Sequence, residues 1–154
     1  MISHKYAEQK DLDEIMEVIS DVDLKNQEES KGKIIDRISK DQILCCVSDN
    51  KIIEFLGWDN KFHDNPEYWY LEQITIQKDY RSKGIGQNFV KYFLQICREE
   101  KVKKLYAHIQ EHNSKSLKMF LNTGAIININ LLLPLFKMAP YQMKKLQLEQ
   151  LTQL

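Results

Sequence analysis

The chain has 154 residues, 43% of them hydrophobic, with 22 basic and 22 acidic side chains and a formal net charge of zero. A length in the range of about 100–200 residues is that of one domain, here taken as 1–154, and a chain of this size buries roughly 68–70% of its unfolded surface without help from disulfides or metals. Zero net charge argues against non-specific nucleic-acid binding; the longest apolar run, Leu131–Phe136, is broken by Pro134 and falls short of a membrane span; and polar Met1–Asp11 lacks a signal-peptide core, so a cytoplasmic protein with no membrane and no nucleic-acid partner is expected.

A short first strand is expected around Ile2–Ala7. Leu12, Ile15, Met16 and Ile19 then fall at helical spacing behind a plausible N-cap, Asp11. A weaker helix covers about Glu28–Ser39, with Ile34, Ile35 and Ile38 as its apolar stripe and Gly32 against it. The period then changes. Ile43–Ser48 is rich in β-formers, Asp49-Asn50 reads as a hairpin turn, and Lys51–Trp58 returns. Polar Asp59–Glu67 reads as a loop, and aromatic, β-branched Tyr68–Gln77 as a strand. Lys78–Gly86 leads into a long helix to about Glu100, with Ile85, Phe89, Phe93, Ile96 and Cys97 inward. Lys103–Ile109 reads as a strand, and Asn113 or Ser114 caps a short helix that ends at Gly124. Ile126–Leu133 is a further strand, and the segment from Tyr141 onward is ambiguous between strand and amphipathic helix. This order is an α/β (α+β) arrangement with hairpins first and crossover helices later.

The three cysteines include no C-x-x-C pair and sit at no metal-ligand spacing from the four histidines, so small buried hydrophobes are expected and no metal.

The segment Arg81-Ser82-Lys83-Gly84-Ile85-Gly86 lies between a strand and a long helix. Its glycines permit close backbone approach, the N–H groups of the first helical turn face outward, and the helix dipole favours an anion. Arg81 and Lys83 add positive charge, so a phosphate or pyrophosphate is the natural occupant, weighed against a solvated turn that merely eases the helix start. A P-loop is excluded because no Lys-Ser/Thr follows the glycines, and a dinucleotide fingerprint because Phe89 stands where a third glycine belongs.

The run from Ile74 and Ile76 through Tyr80-Arg81-Ser82-Lys83-Gly84-Ile85-Gly86 resembles the acetyl-CoA signature of the GNAT superfamily of N-acetyltransferases, R/Q-x-x-G-x-G/A after the fourth strand. Asn113, Phe120 and Gly124-Ala125 are similar to a second family segment, and the likeness is strongest over Trp69–Ala125. The resemblance implies a mixed, mostly antiparallel twisted sheet of six to seven strands flanked by about four helices. It implies acetyl-CoA as acyl donor, no metal, and transfer of the acetyl group to a primary amine of a small molecule, amino-acid derivative or peptide, by a monomer or homodimer. It further implies that the backbone of Ile74, Thr75 and Ile76 pairs with the pantetheine arm. The amides of Arg81, Ser82, Lys83, Gly84, Ile85, Gly86 and Gln87 cradle the pyrophosphate, and Asn113 and Phe120 line the far side of the cofactor. A backbone N–H near Ile74 is the expected oxyanion donor.

An amine with a pKa near 10.4 is almost wholly protonated at neutral pH, so a general base helps. Glu72 is the first candidate: it shares a strand face with Tyr70 and Ile74 in an otherwise apolar, aromatic run. It reads equally as an edge glutamate or one paired with a nearby lysine. His108, on the fifth strand, is the second candidate. Many family members carry a tyrosine, the general acid, where this chain has Phe120; Tyr70 or Tyr106 could stand in. Trp58, Tyr68, Trp69 and Tyr70 lie near Asp59, Asp64 and Glu67, a grouping that would suit a cationic acceptor but also describes ordinary core aromatics beside solvated acids. A non-catalytic acyl-CoA-binding module on the same fold is the competing expectation.

Overall fold

A computed structural model describes residues 1–20, 27–110, 113–123, 126–128 and 143–148. It divides into two compact units that interleave along the chain, Met1–Asp59 with Glu72–Gly86, and Asn60–Leu71 with Gln87–Leu154.

In the first unit, β1 (Ile2–Tyr6), β2 (Ile43–Ser48) and β3 (Lys51–Asp59) pair antiparallel in order, with Tyr6 against Leu44 and Ile43 against Gly57. The β2–β3 turn is Asp49-Asn50, both with positive φ, which suits these two residue types. A bulge between Cys46 and Val47 shifts the register, and the Ile52 N–H beside it donates to Glu14 Oε2 at 2.9 Å. Helices α1 (Leu12–Ser20) and α2 (Gln27–Ser39) bury Ile15, Val18, Ile19, Ile34 and Ile38 in one cluster with Ile43, Cys45, Ile52 and Phe55. Each such side chain contributes about 1.5–3 kcal/mol by leaving water. Ile35, expected in the α2 stripe, is instead exposed. A 3₁₀ turn at Gln9–Asp11 precedes α1, and buried Asp11 accepts from Lys5 Nζ at 2.7 Å and from Glu8 N–H at 2.8 Å. Burial opposes ionisation of Asp11, but the Lys5 ammonium and the Glu8 N–H outweigh it and hold the carboxyl below its usual range.

In the second unit, the first part of β4 (Tyr68–Ile76) pairs parallel with β5 (Lys104–Gln110), from Tyr68 against Lys104 to Leu71 against Ala107. A parallel pair needs a crossover, supplied by α3 (Ile85–Glu99), whose Phe89, Val90, Phe93, Leu94, Ile96 and Cys97 are buried. Beyond β5, β7 (Met143–Leu148) pairs antiparallel with both β5 and β6 (Ile126–Asn128). The strand order among the described residues is β1-β2-β3-β4-β5-β7-β6, a mixed and mostly antiparallel sheet accompanied by four α-helices, the fourth being α4 (Ser114–Leu121).

Several boundaries differ from expectation. β4 stops at Ile76, and a 3₁₀ turn occupies Lys78–Tyr80. β3 runs on through Asp59, and the loop after it contains a 3₁₀ turn at Phe62–Asp64. The tail segment Met143–Leu148 is strand, because its backbone finds β5 and β6 as partners; residues 129–142 and the helix-ending Gly124 lie outside the described residues. All three cysteines are buried thiols.

Candidate active site

The glycine loop after β4 belongs to the first unit. Gln77 N–H donates to Ile53 O at 2.8 Å, which pins the chain to β3 as it leaves β4. After the 3₁₀ turn, Arg81 is extended, Ser82 adopts φ 60° and Gly84 φ 76°, and α3 begins at Ile85. Left-handed residues alternating with others turn successive N–H groups toward one side, the geometry of an anion nest, and it opens directly onto a helix N-terminus. A Cβ built at Gly84 meets nothing within 4 Å, so the space over the loop is open and backbone conformation, not crowding, demands the glycine. Arg81 folds back to donate from Nε to Ile76 O at 3.1 Å, and the Lys83 ammonium lies 5.6 Å from the Tyr80 ring centroid. Both cations are thus anchored at the loop by their own chain. The donor set, backbone N–H groups flanked by Arg81 and Lys83, fits a pyrophosphate.

On β4, Ile74 and Ile76 are half-buried, and Thr75 is buried with its hydroxyl accepting from Gln73 Nε2 at 3.2 Å. Glu72 shares the Ile74 face but is not a free carboxylate. Arg37 of α2 grips both its oxygens, Nε to Oε2 at 2.9 Å and Nη2 to Oε1 at 2.6 Å, while Arg37 Nη1 donates to Gln42 Oε1 at 2.6 Å. Of the alternatives to a catalytic role, an edge glutamate or one paired with a nearby lysine, a pairing is what forms, but with an arginine 35 positions away. A two-pronged, charge-assisted fork of this kind takes one lone pair on each carboxylate oxygen and holds the group against α2.

A different carboxylate of the sheet, unnoticed in the sequence, is buried. Glu54 on β3 is 1% exposed, and its Oε2 has no hydrogen-bond partner among the described residues. Burial pushes its carboxyl up to about 8. Cys46 lies opposite it across the β2–β3 ladder, and burial, with the Glu54 charge added, pushes that thiol up to about 12. The signal was available: a lone glutamate in the apolar run Ile52–Trp58 is the same anomaly that drew attention to Glu72.

The second unit holds the remaining candidates. His108 Nδ1 and Tyr70 Oη are 2.9 Å apart, their rings edge-on at 5.4 Å between centroids. Phe62 stacks on Tyr70 at 4.9 Å and an interplanar angle of 22°, and tilts against Tyr106 at 5.2 Å. Tyr106 is buried, and Tyr68 meets its ring edge-on at 6.0 Å. The acids expected beside these aromatics are partly spoken for: Glu67 pairs with Lys103 at 2.9 Å, and the Lys104 ammonium lies 5.3 Å from the Tyr68 ring centroid. Trp58 is buried in the first unit. Asn113 caps α4, its Oδ1 accepting from Ser116 N–H at 3.2 Å, and Phe120 is buried and has no proton to give. Gln87 is half-buried in the first turn of α3, where N–H groups lack intrahelical acceptors. Among the described residues no group of three or more His, Cys, Asp or Glu could hold a metal ion, and no helix is long and apolar enough to cross a membrane.

The acetyltransferase (GNAT) family profile matches residues 10–125, so the strand, the left-handed loop and the helix after it belong to that fold and the chain is a member of the GNAT acetyltransferases, a class of N-acetyltransferase enzymes. By sequence, no curated protein matches it. Solved structures share the fold at low identity. A GNAT-family acetyltransferase from Bacillus cereus is 23% identical with a TM-score of 0.76, covering 97% of each chain. The PaiA N-acetyltransferase of Thermoplasma acidophilum, in complex with coenzyme A, is 14% identical with a TM-score of 0.75 over 94% of this chain and 98% of that one. Diaminobutyrate acetyltransferase EctA of Paenibacillus lautus, in complex with L-2,4-diaminobutyric acid and coenzyme A, is 13% identical with a TM-score of 0.72 over 98% and 96%.

Proposed function

We propose that this protein, as a single GNAT domain, transfers an acetyl group directly from acetyl-CoA to a primary amine of a small molecule or peptide. The observation that carries the reading is the turn with positive φ at Ser82 and Gly84, feeding the N-terminus of α3 inside the family match. The backbone N–H groups from Arg81 to Gln87 would hold the pyrophosphate, with Arg81 and Lys83 supplying charge. The β4 backbone at Ile74, Thr75 and Ile76 would pair with the pantetheine arm, and an N–H at Ile74 would donate to the developing oxyanion. Asn113 and Phe120 carry the second family motif, and their role toward the cofactor is packing and capping of α4. Coenzyme A in the Thermoplasma acidophilum and Paenibacillus lautus structures supports the donor, and diaminobutyric acid in the latter supports an amine acceptor.

Of the two base candidates, we assign proton acceptance to the His108 side. Glu72 would have to release Arg37 before it could take a proton. Its role is to join β4 to α2. The same two features, an engaged Glu72 and Phe120 in place of a phenol, favour a second reading, an acyl-CoA-binding module without turnover. Calorimetry with acetyl-CoA together with thiol release across a panel of amines separates them. Release above the hydrolysis background establishes the transferase, binding without release the module, and no binding removes both.

A further inference from the structure

The Tyr70–His108 hydrogen bond joins a phenol and an imidazole 38 positions apart, on neighbouring parallel strands. Tyr70 stands opposite Tyr106, and its hydroxyl reaches diagonally to the next residue on that face of β5, His108. Both side chains are half-buried, and Phe62 covers a face of the Tyr70 ring, which fixes the phenol and shields it from solvent. A phenol alone is a poor base near neutral pH, and an imidazole is a good one. Hydrogen-bonded to each other, they can pass one proton in either direction.

We propose that Tyr70 is a catalytic residue of the transfer reaction and that His108 is its positioning and activating residue; this rests on the transferase reading above. The resting pair is Tyr70 O–H donating to a neutral His108 through Nδ1. As the neutral amine nitrogen bonds to the acetyl carbonyl carbon, Tyr70 Oη accepts a proton from that nitrogen and releases its own to Nδ1. As the carbon–sulfur bond breaks, Nδ1–H returns its proton to Oη and the phenol protonates the departing thiolate. One proton has moved from nitrogen to sulfur, both side chains are restored, and no oxidant, reductant or metal is consumed. The relay supplies base and acid from one pair, in a chain whose α4 offers Phe120 and no phenol.

The test measures kcat against pH for the wild type, Tyr70→Phe, His108→Gln and the double variant, using the most active amine from the panel, with acetyl-CoA affinity by calorimetry. Tyr70→Phe keeps the ring stacked on Phe62 and removes only the hydroxyl, so kcat should fall about 10²–10⁴-fold with the acetyl-CoA Kd within about twofold. In His108→Gln the acidic limb of the wild-type profile, which reports the imidazole losing its ability to accept, should vanish. The double variant should be no slower than the slower single one, because the two act as a unit. A Tyr70→Phe enzyme within about threefold of wild type, or an acidic limb that persists in His108→Gln, overturns the relay while leaving the transferase intact. A wild type that binds acetyl-CoA but turns over no amine overturns the transferase reading and the relay together.

Discussion

The two parts of β4 place polar groups two residues apart on one strand face and give them opposite chemistry. Tyr70 meets an imidazole, in a half-buried aromatic setting with Phe62 stacked on it. Glu72 meets a guanidinium that is itself held by Gln42, with the carboxylate about a third exposed. The first arrangement leaves a proton free to move along a hydrogen bond; the second holds a full charge in place by a full countercharge. An ionisable residue at a suspicious place in a strand is therefore not enough to assign a base. What decides is whether its partner can share a proton or only a charge.

The largest expected effect tests that contrast directly. In kcat, Tyr70→Phe should exceed Glu72→Gln by about 10²-fold or more, since only the first removes a group that exchanges protons. Equal losses, or a larger loss in Glu72→Gln, would break the comparison and return the base role to Glu72.

A third residue sharpens it. Glu54 has neither an imidazole nor a guanidinium among the described residues, and burial keeps its proton on up to about 8, against 4.5 when exposed. The folded chain therefore holds a proton that the unfolded chain releases. The Glu54 contribution is fully present below pH 4.5 and is lost as pH rises to about 8. Urea unfolding of wild type and Glu54→Gln at pH 5 and pH 8.5 should show the wild type losing about 2–4 kcal/mol more than the variant between the two. Parallel pH curves for the two proteins would show that Glu54 ionises freely in the fold.

A smaller effect is expected in the loop. Gly84→Val forces a β-branched residue toward φ 76°, which disturbs the nest without touching either part of the comparison. Calorimetry should show the acetyl-CoA Kd rising about 5–30-fold in a variant that remains folded. Unchanged affinity would remove the pyrophosphate from this loop. The smallest effect is the stability change in Glu72→Gln. Its partner pair is partly exposed, so screening reduces the loss to about 1 kcal/mol, and high salt should shrink the difference in thermal unfolding further. A salt-independent loss would mean that packing, not the ion pair, is what the substitution disturbs.

The elements were legible wherever their signal was local. The β-forming composition of Ile43–Ser48 and Lys51–Trp58, the Asp49-Asn50 turn and the stripe of α3 each depend on residues a few positions apart. So did the loop, because Gly84 before a helix start states its own backbone requirement. Less legible was the tail. Met143–Leu148 has no decisive period, and strand won because β5 and β6 supply its hydrogen bonds. In the site, Glu72 and His108 both stand out as unusual residues in strands, yet nothing local to either one names its partner, Arg37 for the first and Tyr70 for the second.

By itself, then, the sequence determined the family, most of the order of strands and helices and the glycine turn before α3, since periodicity, turn chemistry and a spaced motif are properties of short segments. Only the tertiary structure decided which side chains share a hydrogen bond. Arg37 reaches Glu72 across 35 positions and His108 reaches Tyr70 across 38, and Glu54 is left with a buried oxygen and no partner among the described residues. Those pairings follow from strand register and from the helix packed on the sheet, which no local pattern of residues encodes, and they set whether a given acid or base holds a charge, holds a proton or passes one on.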